Sequence, residues 1–304
     1  DRGLRKAVDT THNFLNDLFD ITLYEATLQT DNIKIRADLL IKDKNYIHVV
    51  EVKSSTGIKE IYLVDSAIQY SVMAGAGFTP DKFSLAHLNN KFVYQGDSNY
   101  NDLFKVVDLT SEVSERAEQV PDWIEAANKT IAGDLPRIEV GEHCTKPYPC
   151  PFIKHCWKDI PLIEYPITKF PGLKKSKVTE LMKIGYEDIR DIPDGLLGDD
   201  TLQTRLNAYR TGEKLIPDEL RNKLAQLKFP RYYLDFETIG FAVPKWSGTR
   251  PYEQLPFQWS CHTEDKSMAV NHTGFLDTSG NPPMQLFSES LINALGDLGP
   301  VIVY

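Results

Sequence analysis

Long apolar runs are missing from this sequence of 304 residues. No stretch approaches the ~18 consecutive apolar residues that would mark a membrane-crossing helix. The opening residues, DRGLRKAVDTTHN, lack the apolar centre of a signal peptide. Together these argue against membrane insertion and export, and make the cytoplasm the expected location. Cysteine is scarce too: the four present, Cys144, Cys150, Cys156 and Cys261, are too few for a disulfide framework in so long a chain. Nor is there an excess of positive charge. The formal net charge of −9 gives no whole-chain basic footprint for nucleic acid, yet it leaves room for a local acidic site that meets phosphates through a metal ion. An initiating methionine is absent, and the chain stops at Tyr304 inside what reads as a strand, so a longer parent protein is expected.

What is present is a globular composition. With 41% hydrophobic residues the chain can bury a sizeable core, and its length suggests two domains with a smaller piece between them. Residues 1 to about 19 carry apolar residues at helical spacing. Three strand-like runs follow, TLYEATLQ, NIKIRADLLIK and YIHVVEVK, separated by Thr-Asp-Asn and Lys-Asp-Lys-Asn turn signals. IYLVDSAIQYSVMAGA returns to a helical pattern, and FSLAHLN and KFVYQG read as short strands. The order α-β-β-β-α-β predicts an α/β domain. A helical stretch near Ser111 to Ile131 leads into a segment with four prolines between Pro147 and Pro161, a density that predicts loop. Residues 165–228 read as a polar, helical unit. A new apolar strand, YYLDFETIG, then opens a last region, with PYEQLPFQWSCH as its second strand and MQLFSESLINALGDL as a helix.

The strand YIHVVEVK holds the first chemical puzzle. Alternation puts Glu51 and Lys53 on one face and Val50 and Val52 on the other. In the preceding run, Lys34, Arg36 and Asp38 share a face opposite Ile35, Ala37 and Leu39. If the two runs pair as a hairpin, Asp38 approaches Glu51. Facing carboxylates repel unless a cation joins them, and Mg²⁺ or Mn²⁺ is the natural partner. A lysine beside that ion can orient water and stabilise developing phosphate charge. The plain alternative is a Glu51–Lys53 salt bridge on a solvated sheet face. Apolar residues on both sides of the strand weigh against it, because they predict a central strand in which charge is costly.

Asp38 followed by Glu51-Val52-Lys53, inside that order of elements, resembles the PD-(D/E)XK nuclease superfamily and its RecB-like branch over roughly residues 1 to 160. The resemblance implies a restriction-endonuclease-like core in which Asp38, Glu51, Lys53 and Gln69 are catalytic. It implies His12, in DTTHNFLND, as an extra metal ligand beside Asp38 and Glu51. The branch's usual tyrosine four residues after the glutamine is replaced by Met73, with Tyr70 adjacent to Gln69 instead. Glu25 reads as structural.

The cysteines Cys144, Cys150 and Cys156 form C-x5-C-x5-C in a proline-shaped loop, a soft-ligand set suited to zinc or an iron–sulfur cluster. The spacing resembles the cluster staple of RecB-like nucleases, which implies a [4Fe-4S] cluster completed by an earlier cysteine. Either the full-length protein supplies that fourth ligand, leaving the set incomplete in this chain, or His143 or His155 completes a zinc site.

The lysine-rich FPGLKKSKVTELMKIGYEDIRDIPD, with a turn at Gly172, resembles a helix-hairpin-helix, whose amides hold a DNA phosphate. A helical spacer is the other reading. In YYLDFETIG, Asp235 and Glu237 share a strand face as a candidate metal pair. This resembles the opening motif of DEDD exonucleases on an RNase H-like fold, whose remaining acids would follow Tyr304.

The resulting expectation is an α/β protein in three parts: a RecB-like PD-(D/E)XK domain at 1–162, a helical spacer at 163–228, and part of an RNase H-like domain at 229–304. Its expected activity is metal-dependent hydrolysis of DNA phosphodiester bonds, as an exonuclease in repair, recombination or defence. DNA, as single strand or duplex end, is the expected partner, with RNA left open and no membrane. A nucleic-acid-binding scaffold that keeps the fold without turnover is the alternative.

Overall fold

The computed structural model describes residues 2–158, 162–214 and 216–303, so the expectations placed on Pro161 and Tyr304 lie outside the described residues. The protein is mixed α/β. In chain order the elements are α1 (Arg2–Asp17), β1 (Asp20–Thr30), β2 (Ile33–Asp43), β3 (Tyr46–Lys53), α2 (Glu60–Gly75), β4 (Lys82–Leu88) and β5 (Phe104–Asp108). Then come α3 (Thr110–Ala117), α4 (Val120–Ala132), α5 (Ile153–Cys156), α6 (Lys175–Lys183), α7 (Asp200–Thr211) and α8 (Asp218–Gln226). The chain closes with β6 (Arg231–Ile239), β7 (Leu255–Glu264), β8 (Val270–Leu276), α9 (Met284–Ala294) and β9 (Val301–Val303).

The first sheet runs β1-β2-β3-β4-β5. Short turns join β1 to β2 and β2 to β3, and Asp31 and Lys44 in those turns take the left-handed conformation that tight connections need. The β3–β4 pair is parallel, so it requires a crossover, and α2 supplies it. Leu15 of α1, Met73 of α2 and Val113 of α3 pack with Leu28, Leu40, Val49, Phe83 and Leu85 of the strands in one core. The helices thus cover the face of the sheet that carries these residues.

Strand alternation does not run unbroken through β1 and β2. Ala26 and Leu28 lie in the core together with the partly buried Leu23, and Ala37 lies there with Leu40, so the inward residues change parity in both strands. The change falls at Glu25 and Asp38. Their ladder pair is missing between Tyr24↔Leu39 and Ala26↔Ala37, and Glu25 has φ 55. The single face expected for Lys34, Arg36 and Asp38 is therefore corrected: the backbone break detaches Asp38 from the two exposed basic residues before it.

The run KFVYQG is not a strand; FKVVD, as β5, takes that place beside β4. Tyr94 in that run stacks on Tyr100, and its backbone bonds instead to Thr249 and Gly248. The helical stretch near 111–131 is two helices, with Pro121 in the first turn of the second.

By compactness the chain forms two units: Asp1–Arg137 with Tyr232–Asp297 and Val301–Tyr304, and Ile138–Arg231 with Leu298–Pro300. Within the first, a second sheet of order β8-β7-β6-β9 packs Trp259, Cys261 and Tyr232 against Phe287 of α9. The strand β8 was not foreseen from sequence. The second unit is helical with a core of its own, including Ile167, Phe170, Leu181, Ile189, Ile192 and Leu206. Gly172, at φ 84, turns the chain into α6 after a short 3₁₀ turn at Ile167–Lys169.

Candidate active site

The site grows from a coincidence of two repeats. Along β3, residues 47, 49, 51 and 53 fall on the helix-covered face, and successive members of that set are ~6.6 Å apart. Along α2, residues 73, 69 and 65 lie on one stripe at steps of ~6 Å. The two spacings nearly match, so the elements can pair position by position. Val49 and Met73 share the core. One step on, Gln69 Nε2 donates to Glu51 Oε2 at 2.8 Å. One step further, Lys53 Nζ donates to Asp65 Oδ2 at 2.8 Å. Packing thus passes from apolar to polar along a single seam.

Glu51 is only 5% exposed, and Lys53 Nζ donates to its Oε1 at 2.7 Å. A Glu51–Lys53 salt bridge does form, but under a helix and not on a solvated face. The Lys53 side chain is 21% exposed and that of Asp65 46%, so polarity opens toward solvent along the seam. Gln69 is buried with its Oε1 lacking a partner, which leaves it one acceptor to spare beside Glu51.

Asp38 enters from β2. The β2–β3 ladder ends at Leu39↔Val50, and beyond it the Asp38 carboxylate accepts the Val52 N–H at 2.7 Å. A side chain therefore takes the place of the next ladder bond where the two strands part. This fixes one carboxylate oxygen and brings the charge of Asp38 close enough to act on Glu51.

The electrostatics follow from depth. Burial lifts the Glu51 pKa above the ordinary value of 4.5 and the Asp38 charge adds to that, while hydrogen bonds from Lys53 and Gln69 only partly offset it. For Lys53 burial pushes the other way, but hydrogen bonds to Asp65 and Glu51 outweigh it and lift the pKa above its ordinary value. Desolvation wins for Glu51 and pairing for Lys53 because Glu51 is the deeper of the two. Lys53 is consequently an ammonium throughout the physiological range. It can orient a water or phosphate oxygen and neutralise charge, but it has no free pair with which to accept a proton.

The structure brings Asp38, Glu51, Lys53 and Gln69 together. It does not gather His12 with the carboxylates: the imidazole stands edge-on to Phe78 with ring centroids 5.0 Å apart. Among the described residues no three His, Cys, Asp or Glu side chains are grouped as a metal would need. Two carboxylates nevertheless fit a small hard cation, which commonly takes one or two from protein and fills its remaining positions with water and substrate oxygens. Cys144, Cys150 and Cys156 are free thiols, buried, half-buried and exposed respectively, and are not drawn into one group. The Cys144 sulfur instead accepts the Gly141 N–H at 3.4 Å. Asp235 and Glu237 are both exposed on β6.

Asp65 is the residue that sequence reasoning passed over. Its signal was present: it precedes Gln69 by four residues on the same helix stripe.

Residues 232–304 match a family model described as Domain of unknown function (DUF2779). The match takes in the second sheet and α9 and leaves the Asp38–Glu51–Lys53 site outside it. No curated protein matches the chain.

Proposed function

We propose that this chain is a metal-dependent nuclease that hydrolyses phosphodiester bonds of DNA, with a RecB-like PD-(D/E)XK site in its first sheet. One observation carries the reading: Glu51, buried and held by Lys53 and Gln69, lies within electrostatic reach of the Asp38 carboxylate, which is anchored on the Val52 N–H where the β2–β3 ladder ends. A core strand keeps a costly buried acid there next to a second acid, and a divalent cation is what relieves that repulsion.

Asp38 and Glu51 would hold Mg²⁺ or Mn²⁺, which when bound would lower the pKa of a coordinated water and screen the phosphate. The residues of the chain do the remaining work. Gln69 fixes the rotamer of Glu51, and Asp65 together with Glu51 aims the Lys53 ammonium. Lys53 donates a hydrogen bond to the attacking water or to a nonbridging phosphate oxygen, and so stabilises charge that grows in the transition state. By analogy with the resembled family, the product carries a 5′-phosphate.

Residues 229–304 are read as part of an RNase H-like domain, with Asp235 and Glu237 as two of its metal ligands. The cysteine segment is read as a structural clamp that a metal or [4Fe-4S] cluster closes in the full-length protein.

The test is degradation of end-labelled single-stranded and duplex DNA with Mn²⁺, comparing the wild type with Lys53→Ala and Glu51→Gln. Both variants should lose cleavage by 10²-fold or more, on the order of what removing one preorganised charge stabiliser costs. Wild-type activity in either one removes the site. Oligonucleotide binding without any turnover by the wild type would instead favour the scaffold reading.

A further inference from the structure

A groove of about 550 Å³ opens immediately beyond Lys53. That volume falls within the ~300–1,000 Å³ common for ligand sites. One side is the loop that leaves β3, where Ser54 and Thr56 are exposed and Ser55 half-buried. Its floor includes Tyr62, with the Lys53 and Lys59 ammonium groups 5.3 and 5.7 Å from the ring centroid. Lys53 is engaged by Glu51 and Asp65, so Lys59, placed over the same ring, is the cation that faces the groove.

The other wall comes from nearly two hundred residues downstream. The Tyr252 hydroxyl donates to the Ser54 carbonyl at 2.7 Å, though the side chain remains largely open, with the residue 42% exposed. Tyr252 has φ 59, a left-handed conformation in which a tyrosine is costly. It is held there by surroundings that are themselves tied down. Thr249 O accepts from Tyr94 N at 2.9 Å, Gly248 N donates to Tyr94 O at 2.7 Å, and Tyr100 Oη donates to Pro244 O at 3.1 Å. Segment 244–252, which belongs to the region matched by the family of unknown function, is thereby fastened along the first sheet's site.

We propose that this groove is a nucleotide subsite for the polynucleotide strand, in which Lys59 and the hydroxyls of Ser54 and Thr56 take the phosphate next to the scissile one and Tyr252 stacks on its base, while Ser55 braces the loop by donating to the Gly57 carbonyl at 2.8 Å. The chemistry is complementary: hydroxyls and an ammonium suit a phosphate, and an open aromatic ring suits any base without reading sequence. The inference rests on the nucleic-acid reading of the neighbouring site. It gives the C-terminal region a task in that reaction, which is to wall the strand's path and not only to carry a second site.

The experiment measures fluorescence anisotropy of a labelled oligothymidylate of about fifteen nucleotides in EDTA, so that binding is read without cleavage. Tyr252→Ala should weaken binding about ten-fold. Tyr252→Phe keeps the ring while losing the Ser54 tie, so it should bind within about two-fold of wild type if stacking is the cause. Lys59→Ala should weaken binding and reduce the salt slope by about one. Thermal melts confirm that each variant is folded. Wild-type affinity in both Tyr252→Ala and Lys59→Ala overturns the proposal, as does failure of the wild type to bind. Parallel Mn²⁺ assays separate the two readings. Cleavage that needs Lys53 but ignores Tyr252 and Lys59 removes the groove alone. Binding that needs Tyr252, with no cleavage at all, keeps the groove and removes the nuclease.

Discussion

Lys53→Met deletes the ammonium while retaining most of the side-chain stem, and its effect can be worked out from the seam between β3 and α2. Glu51 would remain 5% exposed, with Gln69 as its side-chain donor and the Asp38 charge still nearby. Breaking a buried pair from one side typically costs about 3–5 kcal/mol. Here Lys53 is 21% exposed and Gln69 stays, so water and one hydrogen bond soften the loss to about 2 kcal/mol. Urea unfolding at about pH 7 reads that difference. The sign of its pH dependence is fixed. Glu51 titrates above 4.5 in the folded protein, and losing Lys53 moves it higher still. A protonated Glu51 needs no ammonium, so the penalty should shrink as pH falls through that raised range and nearly vanish below the ordinary carboxylate value. Adding Glu51→Gln should also restore most of the loss, since the two residues share one interaction. A penalty that ignores pH, or single changes that simply add, would refute the picture of a buried acid dependent on this lysine.

Other outcomes follow from the same geometry. About 10 mM Mn²⁺ should stabilise the wild type by roughly 1.4 kcal/mol if its dissociation constant is about 1 mM, and should leave Asp38→Asn and Glu51→Gln unmoved in a thermal melt. That stabilisation should weaken on acidification at a higher pH than an ordinary glutamate would give, because a proton on Glu51 competes with the ion. Asp65→Ala should cost less than about 1 kcal/mol of stability, since Asp65 is half-exposed, yet lower cleavage about ten-fold by letting Lys53 swing; unchanged turnover would deny Asp65 a positioning role. Gly75→Ala should destabilise by about 1–3 kcal/mol, because its Cβ would meet Thr30 Cγ2 at 2.7 Å, and calorimetry can check it. Full-length protein prepared without oxygen should contain iron or zinc; finding neither would sink the proposed cysteine clamp.

Much of the fold was legible because hydrophobic period survives in a single sequence. The run YIHVVEVK read as a strand and appears as Tyr46–Lys53, and the helix beginning near Ile61 appears as Glu60–Gly75. Mixed α/β character followed from their order. KFVYQG misled because its alternation serves aromatic stacking and bonds to residues 248–249, which no local window contains.

At the candidate site the division is sharper. Sequence alone determined that Glu51 and Lys53 share a face, because a strand's period of two is set by backbone geometry. It also determined which residue types were available to hold a cation. Only tertiary structure decided which face that was, since strand alternation says nothing about where a helix will lie. It decided that Asp38 leaves its neighbours' face, through a break at Glu25 and Asp38 visible only in the paired ladder. And it decided that Asp65 completes the lysine's setting and that Tyr252 bonds to the carbonyl of the next residue, Ser54. Those relations depend on the match between a helix rise and a strand rise, and on a chain returning across nearly two hundred residues, and local sequence encodes neither.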